Sequence, residues 1–233
     1  MTLEDYKEGQ VLLIDKPLNW TSFQVVNKIR WHIRKKFNIK KIKVGHAGTL
    51  DPLATGLLIL CTGKFTKKIE IYQGQIKEYI GEITLGATTP SYDLETEIDK
   101  TYSIDHISKE LIHENTKRFI GEIDQKPPIF SAIKKEGRRL YELARAGETT
   151  EIKTRKITIS EFEITKLDLP RIEFRVVCSK GTYIRSLAYD FGQALNSGAH
   201  LSKLRRTKIG DFKVIDNLGP EEYIDKYLFQ KSS

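Results

Sequence analysis

An α+β fold is predicted by three features of this chain. Strand-like and helix-like segments interleave from end to end. The strand-like segments alternate apolar and polar residues, which suits antiparallel pairing with one face toward solvent rather than a parallel sheet covered on both faces. No repeat or low-complexity linker interrupts the 233 residues, so they form one large domain or a domain with an appendage. At that size roughly 70–75% of the unfolded surface can be buried, enough for a core without disulfide or metal staples.

The elements follow in order. "VLLID" (11–15) reads as a buried strand stopped by Pro17. A helix begins at Thr21, with Val26, Ile29 and Ile33 at i, i+3 and i+7. The apolar run from Leu57 to Leu60 anchors the loop before it. "KEYIGEITL" alternates, with Tyr79, Gly81, Ile83 and Leu85 on one face. A helix is expected over 105–119 with Asp105 as its N-cap. "KPPIFSAI" is a turn into a short extended piece, and 138–146 is helical, ended by Gly147. In "RKITISEFEI", Ile157 and Ile159 are out of phase with Phe162 and Ile164, which calls for a bulge near Glu161. "IEFRVVCS" alternates through Ile172, Phe174, Val176 and Cys178. "GTYIRSLAYDFGQAL" turns helical, with Ile184, Leu187, Ala188, Phe191 and Leu195 on one stripe. The tail after Phe212 closes in a helix near 220–229.

The net charge of +8 and the pI of about 9.3 favour an anionic partner: RNA, DNA or an acidic membrane surface. Cys61 and Cys178 sit in apolar strand-like settings without a redox or metal motif, consistent with a reduced, cytoplasmic compartment. Residues 1–20 lack a signal-peptide core, and no apolar run approaches the roughly 18 residues that span a bilayer, so a membrane is not an expected partner. The cations cluster. Residues 28–43, "KIRWHIRKKFNIKKIK", hold eight Lys or Arg and no acid; a solvated helix face is the plain alternative to phosphate contact. "KKEGRR" (134–139) and "KLRRTK" (203–208) are two further clusters.

Most chemical motifs fail. Gly63-Lys64 suggests a phosphate loop, but six residues separate Gly56 from Gly63 where four are needed. His106 and His113 share a helix face with Glu110 between them, a pattern commoner on wet surfaces than at zinc. No Ser-His-Asp arrangement stands out. Asp51 remains, the one acid between Asp15 and Glu70. It is either a turn-forming Asp before Pro52 or a nucleophile or base on an electrophilic carbon. Gly45 and Gly48 beside it would let a backbone approach a ligand.

"GHAGTLDPLATGLL" (45–58) resembles the active-site motif of the TruB family of tRNA pseudouridine synthases. "KEYIGEITLG" (77–86), "QKPPIFSAIKKEGRRLYELARAG" (125–147) and "CSKGTYIRSLAYDFGQALNSGAHLSKLRR" (178–206) match that family in the same order, so the resemblance covers roughly residues 9 to 212. It implies the pseudouridine synthase fold, with a mixed, mostly antiparallel sheet flanked by helices. The catalytic domain would be 1–212, with an RNA-clamping insertion at about 125–152 and a short helical tail at 213–233. The implied reaction converts the uridine at position 55 in the TΨC loop of tRNA to pseudouridine, with no cofactor and no metal.

By the same resemblance Asp51 is the catalytic aspartate and Arg185 the arginine that pairs with it. Tyr79 stacks on the target base, Tyr183 and Leu204 wall the base pocket, and His46 helps hold the RNA once the base is flipped out. Lys16, Lys134, Arg138 and Arg205 are expected to touch RNA. Family members commonly carry a C-terminal RNA-binding domain, expected here to be missing or reduced to a helix. Pro90 stands where the family often has an acid, and Asp93 is kept to order the nearby loop. The implied partner is the tRNA T-arm, with no guide RNA or protein partner, acted on by a monomer. A guide-RNA-dependent subunit and a tRNA-folding chaperone with secondary catalysis are the alternatives.

Overall fold

The computed structural model describes residues 1–131, 133–135, 137–146, 151–214 and 218–229. In chain order the elements are α1 (Leu3–Glu8), β1 (Val11–Lys16), α2 (Ser22–Lys36), β2 (Val44–Ala47), β3 (Ala54–Thr62), a 3₁₀ turn (Gly63–Lys68), α3 (Ile69–Gly74) and β4 (Lys77–Leu85). Then come β5 (Ala87–Thr88), β6 (Lys100–Thr101), α4 (Lys109–Lys117), β7 (Gly121–Gln125), β8 (Lys134–Lys135), β9 (Arg138–Arg139) and α5 (Leu140–Arg145). Last are β10 (Arg155–Asp168), β11 (Arg171–Cys178), α6 (Ile184–Ala194), β12 (Ala199–Ile209), β13 (Phe212–Lys213) and α7 (Pro220–Tyr227). No helix among the described residues is long and apolar enough to cross a membrane.

The chain forms two compact units, one of residues 1–79 with 204–233 and one of residues 80–203. In the first, the strand order is β1–β3–β12, with β2 beside β3 and β13 beside β12. β3 runs antiparallel to β1 and β2 but parallel to β12, where Leu204 faces Ala54. β3 reads almost wholly apolar because both its faces are covered: Leu58 and Leu60 join one core cluster, Leu57, Ile59 and Cys61 another. α2 starts where expected, with Thr21 and Gln24 forming a capping box. α7 belongs to this core, since Tyr223, Ile224 and Leu228 are buried with Ile14, Val26 and Ile29. The sequence suggested a helix there but not its burial.

In the second unit β11, β10 and β7 follow β4 in order, and β10 pairs antiparallel with both β11 and β7. The register of β10 shifts between Ile159 and Glu161, where the change of phase placed a bulge. It shifts again between Ile164 and Lys166. The α6 stripe is buried as expected and packs its Phe191 edge-on against Phe119 and Phe162. The α+β class and the mixed, mostly antiparallel sheet are as anticipated.

One helix start differs. α4 begins after Ser108, whose hydroxyl accepts from the Leu111 N–H. Asp105 instead pairs with Ser103 in the preceding turn. Both residues are good caps, and only tertiary packing chose between them. Of the helix expected over 138–146, Arg138–Arg139 instead form β9, paired with β8, and Leu140–Arg145 form α5; Gly147 lies outside the described residues.

Candidate active site

In the first unit, the loop between β2 and β3 carries Asp51, and it is clamped from three sides. Ser22, at the first turn of α2, takes a hydrogen bond from the Leu50 N–H (2.8 Å) and donates to the Leu50 carbonyl (3.1 Å). The Asp51 carbonyl accepts from the Ala54 N–H at 3.1 Å, closing the turn into β3. Lys16, at the end of β1, is 0% exposed. Its ammonium donates to the carbonyls of Pro17 (2.9 Å), Trp20 and Pro52 (3.3 Å). Lys16, expected to touch RNA, is here turned inward onto these carbonyls. Its short reach into a turn of converging carbonyls makes it a positioning residue for the loop. Burial pushes its ammonium down to about 8, against the opposing pull of Asp51.

Arg206 closes the third side. It is 1% exposed and holds the Leu57 carbonyl (2.8 Å) and the Gly48 carbonyl (3.1 Å). Gly48 has φ +92°, a left-handed conformation in which glycine is unstrained. Gly45 serves packing rather than ligand approach, because a Cβ there would lie 2.7 Å from Ile69 Cδ1. His46 sits on β2 with its Nδ1 buried and without a hydrogen-bond partner among the described residues. Burial and then the Arg206 cation lower its pKa, and a hydrogen bond with the Gly48 backbone works against them. His46 is thus a neutral ring at neutral pH, suited to stacking or a single hydrogen bond rather than to phosphate.

Leu204 is half-buried opposite Ala54, three residues after Asp51. Tyr79 is buried on β4, one residue past Glu78, which accepts from Thr207 (2.7 Å) and Lys208 (3.0 Å) on β12. The "KLRRTK" cluster is not an open phosphate surface. Arg205 makes a two-pronged pair with Asp15, with one arm at 3.0 Å, Arg206 is buried, and Lys208 pairs with Glu78. Lys203 pairs with Glu82 at 3.0 Å. These acids lie over a hundred residues away in sequence, so the run looked unneutralised. Arg205, expected at RNA, is committed to Asp15.

In the second unit, Arg185 on α6 is 4% exposed. It donates to the carbonyls of Phe130 (2.9 Å) and Ser91 (3.2 Å), and its Nε lies 3.6 Å from Asp93 Oδ2. Asp93 also accepts from the Glu95 N–H (2.9 Å), and its carbonyl accepts from Thr89 and Ser91. It orders its loop, as expected, and in addition orients Arg185. The start of α6 is tied to segment 125–131 at two further points. Gln125 and the Tyr183 backbone exchange hydrogen bonds of 2.8 and 3.0 Å, and Ser186 donates to the Lys126 carbonyl at 2.7 Å. The Arg155 guanidinium covers the Tyr183 ring at 5.2 Å. Lys134 and Arg138 fall on the paired strands β8 and β9, and Arg138 is exposed. Ser22 and Gln125 carried no signal for these contacts in the sequence, and Arg206 showed only as one cation of the 203–208 cluster, since each acts on backbone groups far along the chain. The described residues hold no cluster of metal-ligand type.

Comparison with known proteins decides the family. Residues 34–184 match the model for the TruB family pseudouridylate synthase N-terminal domain. The chain belongs to the TruB family of tRNA pseudouridine synthases. Residues 185–232 match the tRNA pseudouridylate synthase B C-terminal domain. The tRNA pseudouridine synthase B of Flavobacterium johnsoniae is 67% identical over 233 residues, covering 100% of this chain and 99% of that protein. That of Phocaeicola vulgatus is 60% identical over 219 residues, covering 94% and 93%. Among solved structures, a crystal structure of a Cbf5–Nop10–Gar1 complex aligns with TM-score 0.70 at 30% identity, over 97% of this chain and 58% of that one. An H/ACA RNP bound to a substrate RNA containing 2′-deoxyuridine aligns with TM-score 0.66 at 28% identity, over 95% and 55%. This chain thus spans little more than half the length of those two solved chains. TruB membership makes it a pseudouridine synthase.

Proposed function

We propose that this TruB-family enzyme isomerises the uridine at position 55 in the TΨC loop of tRNA, in the cytoplasm, as a monomer without guide RNA or protein partner. The observation that carries the reading is Asp51, the one acid between Asp15 and Glu70, on a loop clamped by Ser22, Lys16 and Arg206. A carboxylate carried on a loop whose backbone is held at Gly48, Leu50 and Pro52 starts from a defined position for attack or proton removal. The target base is flipped out because its sugar carbon and C5 are shielded in a stack. Asp51 then either attacks C1′ or takes a sugar proton, and the C1′–N1 bond breaks. The uracil turns and C5 joins C1′, as the C1′–O bond to Asp51 breaks in the first route or Asp51 returns the sugar proton in the second; the C5 proton then leaves to a base, and N1 gains a proton. In this reading Tyr79 stacks on the base and takes the C5 proton. His46 stabilises the opened RNA, and Tyr183 and Leu204 wall the pocket. Resemblance assigns Arg185 as the guanidinium that keeps Asp51 ionised. Residues 1–212 form the catalytic domain in this reading, and about 125–152, with Lys134 and Arg138, close on the T-arm.

The test is tritium release from 5-³H-uridine in a tRNA transcript by the purified chain alone, with the product position mapped. Asp51→Asn is expected to abolish release and leave RNA binding little changed, because a carboxylate repels phosphate. Release by the Asn variant near the wild-type rate would remove Asp51 from the chemistry. Release only after addition of a guide RNA would favour the guide-dependent reading.

A further inference from the structure

Most of the surface of α2 is accounted for. Ser22, Val25, Val26, Ile29 and Ile33 face the core of the first unit. On the adjoining side α7 and its end cover the helix. Lys28 pairs with Glu221 at 3.3 Å, Lys36 donates to the Tyr227 carbonyl at 3.1 Å, and the His32 ring meets Phe229 edge-on at 5.6 Å. At 3.6 residues per turn one arc is left, carrying Phe23, Asn27, Arg30, Trp31, Arg34 and Lys35. Phe23 is 60% and Trp31 51% exposed. The Lys35 ammonium lies 4.9 Å from the Trp31 ring centroid, and α2 contains no acid.

A single exposed aromatic needs no explanation. Two on one cationic, acid-free arc are different, because together they provide flat apolar faces and fixed positive charge. Single-stranded nucleic acid is bound by that combination, its bases stacking on aromatic rings while cations track the backbone. A second copy of this chain is a poor occupant, since it would bring two such cationic arcs together without acids to offset them. The arc also begins beside the reactive loop, because Ser22 clamps Leu50, the neighbour of Asp51. Trp31 lies about 12 Å farther along the helix axis than Phe23.

We propose that the Phe23–Trp31 arc of α2 is a nucleobase-stacking rail for unpaired nucleotides of the same RNA whose target uridine reaches Asp51. The proposal rests on the function proposed above and adds a contact that the TruB motifs do not contain. It is tested by measuring Kd and KM for a full tRNA transcript and a T-arm hairpin at fixed salt, with Phe23→Ala, Trp31→Ala, Trp31→Phe and Ile71→Ala. Phe23→Ala and Trp31→Ala are each expected to weaken binding of the full transcript about tenfold, with the loss appearing in KM. Trp31→Phe keeps a stacking face and should retain most of the affinity. Ile71 is 63% exposed but lies outside the arc, so Ile71→Ala should match wild type. Trp31 emission should be quenched on RNA saturation in the wild type. Binding by both alanine variants within twofold of wild type would overturn the proposal. So would sedimentation showing a wild-type dimer that Trp31→Ala dissociates, which would make the arc a protein–protein surface. Wild-type tritium release in the same samples separates the two claims. Release with unaffected alanine variants removes only the rail, and absence of release removes the function on which it rests.

Discussion

Ser22→Ala isolates the clamp on the reactive loop. The hydroxyl is buried and serves both backbone groups of Leu50, at 2.8 and 3.1 Å. Its removal leaves a buried N–H and a buried C=O without that partner, each costing about 1–3 kcal/mol. The cavity is one oxygen in size, so packing loss is small, and slight relaxation recovers part of the cost. The expected destabilisation is about 2–4 kcal/mol. For a chain of this length that lowers Tm by roughly 5–15 °C, read by thermal melting followed by calorimetry. The loop should also lose its fixed pose, so single-turnover tritium release at saturating RNA should fall at a temperature where the variant is still folded. A misplacement of 1 Å can cost about a hundredfold in rate. Ser22→Thr keeps the hydroxyl and should recover most of the rate if its methyl is accommodated. A Tm within 1–2 °C of wild type, together with an unchanged rate, would refute the argument that this hydroxyl holds the Asp51 loop.

Two further outcomes follow from the same geometry. Arg185→Lys keeps the charge but loses the planar fork that reaches Phe130, Ser91 and Asp93; the single-turnover rate should fall by more than tenfold while Kd for RNA changes little, and the reverse pattern would make Arg185 a phosphate contact. Lys16 has its pKa lowered to about 8 in the fold from 10.5, so its unfolded form binds more protons between those values and stability should rise with pH across that window, by about 2–3 kcal/mol from this group. Below about 8 both forms are protonated and the burial cost is constant. Urea unfolding from pH 7.5 to 10 should show this upward slope in the wild type relative to Lys16→Met, and parallel curves would mean that the ammonium is not desolvated.

The periodic elements were legible because periodicity is local. The α6 stripe, the strand through Ile172, Phe174, Val176 and Cys178, and the bulge near Glu161 all follow from side-chain direction over a few residues. The long, specific motif around Asp51 was likewise contiguous, so the family could be identified before any contact was seen. Charge was not legible in this way. Arg205 and Asp15 are 190 residues apart, yet they pair. Lys16 and Arg206 looked like cations available to RNA and are instead buried on carbonyls of the Asp51 loop, at separations of 36 and 158 residues for Pro52 and Gly48. Gly45 was read as room for a ligand, and Ile69 fills that room. A residue type and its spacing determine helix, strand and motif, because those depend on neighbours along the chain. Whether a cation binds RNA or holds a loop depends on the acids, carbonyls and solvent around it, and only the tertiary structure of each unit decided that.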